Sequence, residues 1–240
     1  MRVLGIVPAR GGSKGIPRKN LKELCGKALL QYTAESALDS SLLACVVLST
    51  EDDEIAELGR RIGLMVPFMR PATLAMDETP MLPVVQHALG EMEHRGEHFD
   101  AVCLLQPTHP LRRGQDVDAC IELLEAEDAD SVITVLPVPC EYNPHWVYFC
   151  DNEGSLYLST GETGPISRRQ DLPQAFHREG SIYVTRRSVV SGGSLYGRRI
   201  IGYPLEPARC VNIDGPKDWE RAVALLSASK RAQRPATVGS

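Results

Sequence analysis

Through residues 1–140, apolar runs of strand length alternate with amphipathic stretches of helical period, and this rhythm limits the fold more than any other feature. Val3 to Val7 is a short continuous apolar strand. Lys27 to Leu38 follows at helical spacing, with Leu29, Leu30, Ala34 and Ala37 on one face. Ala44 to Leu48 reads as the second strand. Thr50 has the character of an N-cap, with Asp53 three residues on and Glu51 and Asp52 in the first turn, before Ile55, Leu58 and Ile62. Leu64 to Phe68 is expected as a third strand, and Leu82 to Met92 as a helix. Ala101 to Leu105 then reads as a strand, Val117 to Leu124 as a helix, and Ser131 to Val135 as a strand.

Strands that are apolar along their whole length are buried on both faces, and helices between them make the sheet parallel. Right-handed crossovers then give an α/β fold: a doubly wound, mostly parallel, Rossmann-like sheet. From Pro137 to about Pro207 short strand-like pieces (Trp146 to Cys150, Ser181 to Val184, Arg199 to Tyr203) alternate with Gly-rich turns. We expect a small β-rich arm at about 140–207, inserted in a single domain spanning 1–228. Asp218 to Leu226 reads as a closing helix, and the polar stretch 229–240 as a flexible tail.

Composition removes several classes of function. No apolar run approaches the ~20 residues that span a bilayer, and MRVLGIVPAR breaks at Pro8, too soon for a signal peptide. A cytoplasmic protein with no membrane partner is expected. A pI near 5.7 with 5% aromatics gives no basic, base-stacking face, so no nucleic acid is expected as a partner. The seven cysteines are an odd number without a CxxC pair, and several sit in apolar runs, which favours buried reduced thiols.

Against a net charge of -5, the stretch VPARGGSKGIPRKN at residues 7–20 is a local concentration of positive charge. It places Arg10, Lys14, Arg18 and Lys19 among Gly11, Gly12 and Gly15, directly after the first strand. That is where sheets of this kind bind ligands. The glycines let backbone N–H groups approach an anion, and the cations supply the charge that a triphosphate needs. Neither GxxxxGK[ST] nor GxGxxG is present. Gly11-Gly12-Ser13-Lys14-Gly15 does fit G-x-S-x-G, but a nucleophile elbow needs an immediate helix, and Ile16-Pro17 follows instead. By composition alone the loop is equally a solvated basic turn.

The order of motifs along residues 3–226 resembles the cytidylyltransferases that activate acidic sugars, above all the acylneuraminate CMP-sugar synthetases. VPARGGSKGIPRKNL resembles that family's nucleotide loop, and VVLSTEDDEIAELGRRIG its second strand and helix. VPFMRPATLAMDET, CLLQPTHPLR (the family's LLQPTSPLR, on the fourth parallel strand by this count), SRRQDLPQAFHREGSIYV and VNIDGPKDWERA follow in register. The resemblance implies CMP transfer from CTP to an acidic acceptor such as a nonulosonic acid, with release of pyrophosphate. Arg10, Lys14 and Lys19, with the N–H groups of Gly11, Gly12 and Ser13, would cradle the triphosphate. Asn20 would contact the nucleotide and Arg70 read the cytosine, although Arg70 beside Pro71 could also be an exposed loop charge. Asp77 lies in a family-like loop over the nucleotide, and reads equally as a helix-entry carboxylate.

Gln106 ends an apolar strand and would meet the acceptor. Arg168, Arg169 and Gln170 would bind its carboxylate, against the plainer reading of a surface arginine pair. In the family two closing aspartates serve Mg²⁺; here the stretch is Val211-Asn212-Ile213-Asp214, so Asp214 carries the charge and Asn212 offers an amide oxygen. Alternation puts 212 and 214 on one side. Lys19, Arg10 and Asp214 are the residues expected to carry the transfer. Pro144-His145-Trp146 and Met81-Leu82 depart from the family, which leaves a small phosphonate such as phosphonoformate open as the acceptor in place of a sugar acid. The same loop would also suit a guanylyl- or uridylyltransferase, or a nucleotide-binding protein without catalysis. The resemblance further implies a homodimer formed through the arm.

Overall fold

The computed structural model describes residues 1–232, with side chains described through Ser229. The elements run β1 (Val3–Pro8), β2 (Glu23–Leu24), β3 (Lys27–Ala28), α1 (Leu29–Leu38), β4 (Leu43–Ser49), α2 (Asp53–Arg61), α3 (Met81–Glu93) and β5 (Ala101–Leu105). There follow α4 (Gly114–Ala126), β6 (Ser131–Pro137), β7 (Tyr148–Cys150), β8 (Leu156–Leu158), β9 (Phe176–Arg186), α5 (Arg187–Ser191), β10 (Ile200–Pro204) and α6 (Pro216–Ala232). Six strands make one sheet in the order β10-β6-β9-β5-β1-β4. Neighbours are parallel except β9, which runs antiparallel to both β5 and β6.

Alternation along each central strand divides the core into two layers. Val3 and Val7 of β1, with Cys103 and Leu105 of β5, pack on Leu30 and Ala34 of α1 and Val117, Ile121 and Leu124 of α4. Leu4 and Ile6, with Val102 and Leu104, pack on Val85, Ala88, Leu89 and Met92 of α3. A central strand buried on both faces must be apolar at every position, and Val3, Leu4, Ile6 and Val7 are each 0% exposed. A third cluster, Ile16, Leu29, Val211, Ile213, Ala222 and Leu226, ties the loop after β1 to α6 and to the segment that leads into it.

The doubly wound, mostly parallel expectation is met, and several local readings are corrected. Leu64 to Phe68 is not a strand: it makes one bridge, Val47 with Met65, and Pro67 has no N–H to extend a ladder. The CLLQPTHPLR strand is therefore the third strand of the main sheet in chain order, not the fourth. The N-cap of α2 is Asp52, whose carboxylate accepts from Ile55 N at 3.0 Å, while Thr50 accepts from Asp52 N. Helix α1 begins at Leu29, because Lys27 and Ala28 pair with Glu23 and Leu24 across a turn in which Cys25 and Gly26 have φ of 52° and 92°.

The arm is smaller than the 140–207 expected from the sequence. Strands β9 and β10, within that stretch, lie inside the main sheet, because Ser181 to Thr185 has the same two-sided burial as a central parallel strand. Within that stretch only the hairpin β7–β8 stands apart from the main sheet, and Pro144–Trp146 ahead of it is a 3-10 turn rather than strand. The expected tail begins within α6, which continues to Ala232; the remainder lies outside the described residues. Among the described residues no helix is long and apolar enough to cross a membrane.

Candidate active site

The chain leaves β1 toward β4 on one side and returns to β5 on the other, so the carboxyl ends of β1 and β5 part at a topological switch point. A cavity of about 260 Å³ opens there. Its walls include Arg10, Ser13, Lys14, Gly15, Lys19 and Asn20 from the loop after β1. Arg70, Gln106, Thr108 and Asp214 complete it from other places in the sequence.

Lys19 is anchored rather than waving in solvent: its ammonium donates to the Ile213 carbonyl at 2.7 Å and stands 3.7 Å from Asp214. Burial pulls its pKa below the usual lysine value, partly opposed by Asp214. Gly15 accounts for the closeness of the two segments, since a Cβ there would sit 2.1 Å from the Asp214 carbonyl oxygen. Asn20 is buried, and its amide donates to the Arg10 carbonyl at 3.0 Å while Oδ1 has no partner. A buried acceptor without a donor is a cost that a bound ligand can offset.

Gly11 and Gly12 do not line the cavity. The Gly11 N–H donates to Glu51 Oε1 at 2.7 Å, and a Cβ on Gly11 would lie 2.3 Å from Asp52 Oδ2. The expected row of free N–H groups from Gly11 to Ser13 is thus corrected: Gly11 serves the packing of the loop on the start of α2. Arg18 also turns away, pairing with Asp52 and Glu54. Asp77 faces the loop, with its carboxylate 2.9 Å from Arg10 and 2.7 Å from Lys14. Those two cations, Lys14 above all, hold it below the usual carboxylate range.

Glu51 is a residue that the sequence pattern assigned only to the first turn of a helix. Its second oxygen takes Arg70 Nη2 at 2.6 Å, and Arg70 is 5% exposed, not a loop charge in solvent. One carboxylate therefore sets both the loop after β1 and the arginine of the opposite wall. Glu51→Gln removes the charge that satisfies a buried guanidinium whose Nε already has no partner. We expect a loss of about 1–3 kcal/mol in unfolding free energy, measured by urea denaturation. A loss too small to measure would show that Arg70 does not depend on Glu51.

On the other side, Asn212 and Asp214 are exposed while Val211 and Ile213 are buried, so the expected alternation holds although the segment pairs with no strand. Asn212 Nδ2 donates to Asp214 Oδ2 at 2.6 Å. Gln106 is fixed through its backbone, its N–H donating to Ser181 O at 3.2 Å and its carbonyl accepting from Arg112 Nη1 at 3.0 Å. Arg112 ends the stretch CLLQPTHPLR, where the sequence assigns it no role, and is so buried that its pKa falls to about 10. A second cavity of about 420 Å³ adjoins this wall, with His109, His177, Arg178, Asn212 and Arg221 around it. Arg168, Arg169 and Gln170 enter neither cavity: all three are exposed, Arg168 pairs with Asp171 at 2.7 Å, and Arg169 Nε donates to Cys140 Sγ at 3.1 Å.

A basic loop and the Asp214 carboxylate thus meet at the switch point of a mostly parallel sheet, where folds of this kind bind ligands such as nucleotides. The cytidylyltransferase family profile matches residues 4–192, and the chain belongs to that family. It is 30% identical to CMP-N,N'-diacetyllegionaminic acid synthase of Legionella pneumophila, over 97% of this chain and 99% of that protein. It is 34% identical to pseudaminic acid cytidylyltransferase of Campylobacter jejuni, over 76% of this chain and 78% of that protein. Among solved structures, CMP:2-keto-3-deoxy-manno-octonic acid synthetase complexed with CTP has a TM-score of 0.71 at 18% identity, over 95% of this chain and 100% of that one, a likeness of fold.

Proposed function

We propose that this cytidylyltransferase transfers CMP from CTP to a nonulosonic acid and releases pyrophosphate. The observation that carries the reading is the single cavity that Arg10, Lys14, Lys19 and Asp214 line together. The triphosphate competes with Asp77 for Arg10 and Lys14, so Asp77 is their counter-ion until the nucleotide arrives. Asn20 and Arg70 hold the nucleoside, and the unpartnered Asn20 Oδ1 gains a donor from it. Transfer needs little covalent work from the protein, so positioning and fixed positive charge dominate.

The acceptor enters the second cavity, where Arg178 and Arg221 suit a carboxylate, with Gln106 at its border with the nucleotide. The two bacterial relatives are named for nonulosonic acids, and a cavity of about 420 Å³ fits a sugar acid better than a small phosphonate. The donor set suits Mg²⁺ in company with the nucleotide. Asp214 gives one carboxylate and Asn212 an amide oxygen, and among the described residues no cluster of three or more metal-ligating side chains offers a cage. Held by Asp214 and Asn212, such an ion would supply charge neutralisation for the phosphates. A CTP-consuming enzyme works where the nucleotide pool is, in the cytoplasm.

The hairpin β7–β8 and its flank leave Tyr142, Tyr148, Phe149, Leu156 and Tyr157 exposed, an apolar surface that a second copy would cover. We therefore place Arg168, Arg169 and Gln170 at the neighbour's site in a homodimer. Light scattering at micromolar concentration should give twice the chain mass; the mass of one chain would refute the dimer. Nucleotide choice is read from pyrophosphate release with CTP, UTP and GTP in the presence of Mg²⁺ and a nonulosonic acid. Release with CTP at least tenfold above the others is expected. Preference for UTP or GTP would contradict the reading.

A further inference from the structure

Thr108 lines the nucleotide cavity, and the next residue, His109, lines the second one. The pair therefore forms part of the wall across which an acceptor hydroxyl must reach the α-phosphorus. His109 is 5% exposed, and both of its ring nitrogens have partners. Nε2 faces the Glu179 backbone carbonyl at 3.1 Å and the Glu179 carboxylate at 3.5 Å. Both are acceptors, so Nε2 carries the hydrogen. A neutral imidazole then has its lone pair on Nδ1, and the Thr108 hydroxyl, 3.0 Å away, must be the donor. Glu179 is itself held, its other oxygen accepting from Ser181 N at 2.9 Å and Ser181 Oγ at 2.6 Å. A hydroxyl donating to an imidazole whose far N–H is held, here by the Glu179 carbonyl with the Glu179 carboxylate nearby, is arranged to activate the hydroxyl for proton transfer.

Building on the transfer reaction proposed above, we infer that Thr108, His109 and Glu179 form a relay that removes the proton of the attacking acceptor hydroxyl. As the new O–P bond forms, the acceptor O–H proton passes to Thr108 Oγ, and the Thr108 proton passes to His109 Nδ1. The Pα–O bond to pyrophosphate breaks with its electron pair on the leaving group. His109 is left as an imidazolium whose Nε2–H points at Glu179, and it returns its proton to water through the second cavity. Thr108 is the group that touches the reacting hydroxyl; His109 and Glu179 act through it.

The charged and titratable groups around His109 are Glu179, Arg112 and Asp214, with Arg209 and Cys210 on one side and His177, Arg178 and Arg221 on the other. Burial, aided by Arg112, lowers the His109 pKa despite Glu179 and Asp214, which keeps the ring neutral at pH 7 and able to accept. His109 and Glu179 do not line the nucleotide cavity, so CTP binding does not depend on them.

The test is the pH profile of kcat, from pyrophosphate release at saturating CTP, Mg²⁺ and N-acetylneuraminate, pseudaminate or N,N'-diacetyllegionaminate, for wild type, Thr108→Val, His109→Gln and Glu179→Gln. Wild-type kcat should fall with unit slope below a pKa under 6.5, because a protonated ring cannot accept. Thr108→Val and His109→Gln should lower kcat about 10²-fold at pH 8, flatten that limb and leave the CTP affinity within twofold. Glu179→Gln should move the limb to lower pH. Thr108→Val, which is nearly isosteric, guards against a folding defect at His109. An active wild type whose limb and rate survive in Thr108→Val and His109→Gln would overturn the relay alone. A wild type silent with all three acids would overturn the transfer reading, and the relay with it.

Discussion

Lys19→Ala lowers kcat by about 10²–10³-fold, the range seen when one fixed donor to a developing anion is removed. The ammonium is positioned before any ligand arrives, by the Ile213 carbonyl at 2.7 Å and Asp214 at 3.7 Å. Its side chain is 14% exposed, so its field reaches the cavity with little screening by water. In the proposed reaction, charge that builds on the α-phosphate and leaving pyrophosphate would meet a cation that need not reorganise. Arg10 and Lys14 are more exposed and share the single Asp77 carboxylate, so on the proposed reading they contribute to binding more than to the barrier. Hence Lys19→Ala should strike kcat harder than the CTP KM, whereas Lys14→Ala should do the reverse. Lys19→Arg should not rescue, because a planar fork cannot occupy a cleft shaped for one compact ammonium. Stopped-flow or coupled pyrophosphate assays separate the two constants. A Lys19→Ala rate within twofold of wild type would show that the residue only braces the Ile213 segment.

Asp214→Ala removes the single carboxylate at the cavity and should cost about 10³ in kcat, or ~4 kcal/mol of barrier. The nucleotide should still bind within about tenfold of wild type, because the cations and Arg70 remain. The backbone there stays put, since the Gly15 approach, the Ile213 N–H to Thr108 carbonyl bond at 2.9 Å and the Asp218 carboxylate at 3.1 Å from Asp214 N do not involve the side chain. Asn212 should make the opposite change: Asn212→Asp adds a second anionic oxygen and should lower the Mg²⁺ concentration needed for half-maximal rate by several-fold. With one carboxylate, calorimetry should find Mg²⁺ binding only when CTP is present. Near-normal turnover in Asp214→Ala would remove this residue from the reaction.

The parallel sheet and the loop after β1 were legible because each rests on a local signal. A continuous apolar run such as Ala101 to Leu105 fits burial on both faces. A basic, glycine-rich loop directly after a strand lies where such sheets bind ligands, although its composition alone fits a solvated turn equally. The antiparallel sense of β9 was not legible: a strand buried between β5 and β6 has the same apolar pattern whichever way it runs. Asn212 and Asp214 were correctly placed on one side, since alternation needs only extended backbone, not a sheet partner. Glu51 and Arg112 were hidden because their partners are far along the chain. Glu51 meets Arg70 across 19 residues, and Arg112 meets Ser181 across 69. Arg168 to Gln170 show the converse, a motif recognised in sequence that lies outside both cavities of its own chain.

The most direct test of CMP transfer is ³¹P NMR of the complete reaction with CTP, Mg²⁺ and, in turn, N-acetylneuraminate, pseudaminate and N,N'-diacetyllegionaminate. With at least one acid the account predicts the triphosphate resonances replaced, mole for mole, by pyrophosphate and a single phosphodiester resonance of the CMP conjugate. CTP that binds yet stays intact with all three acids would contradict it.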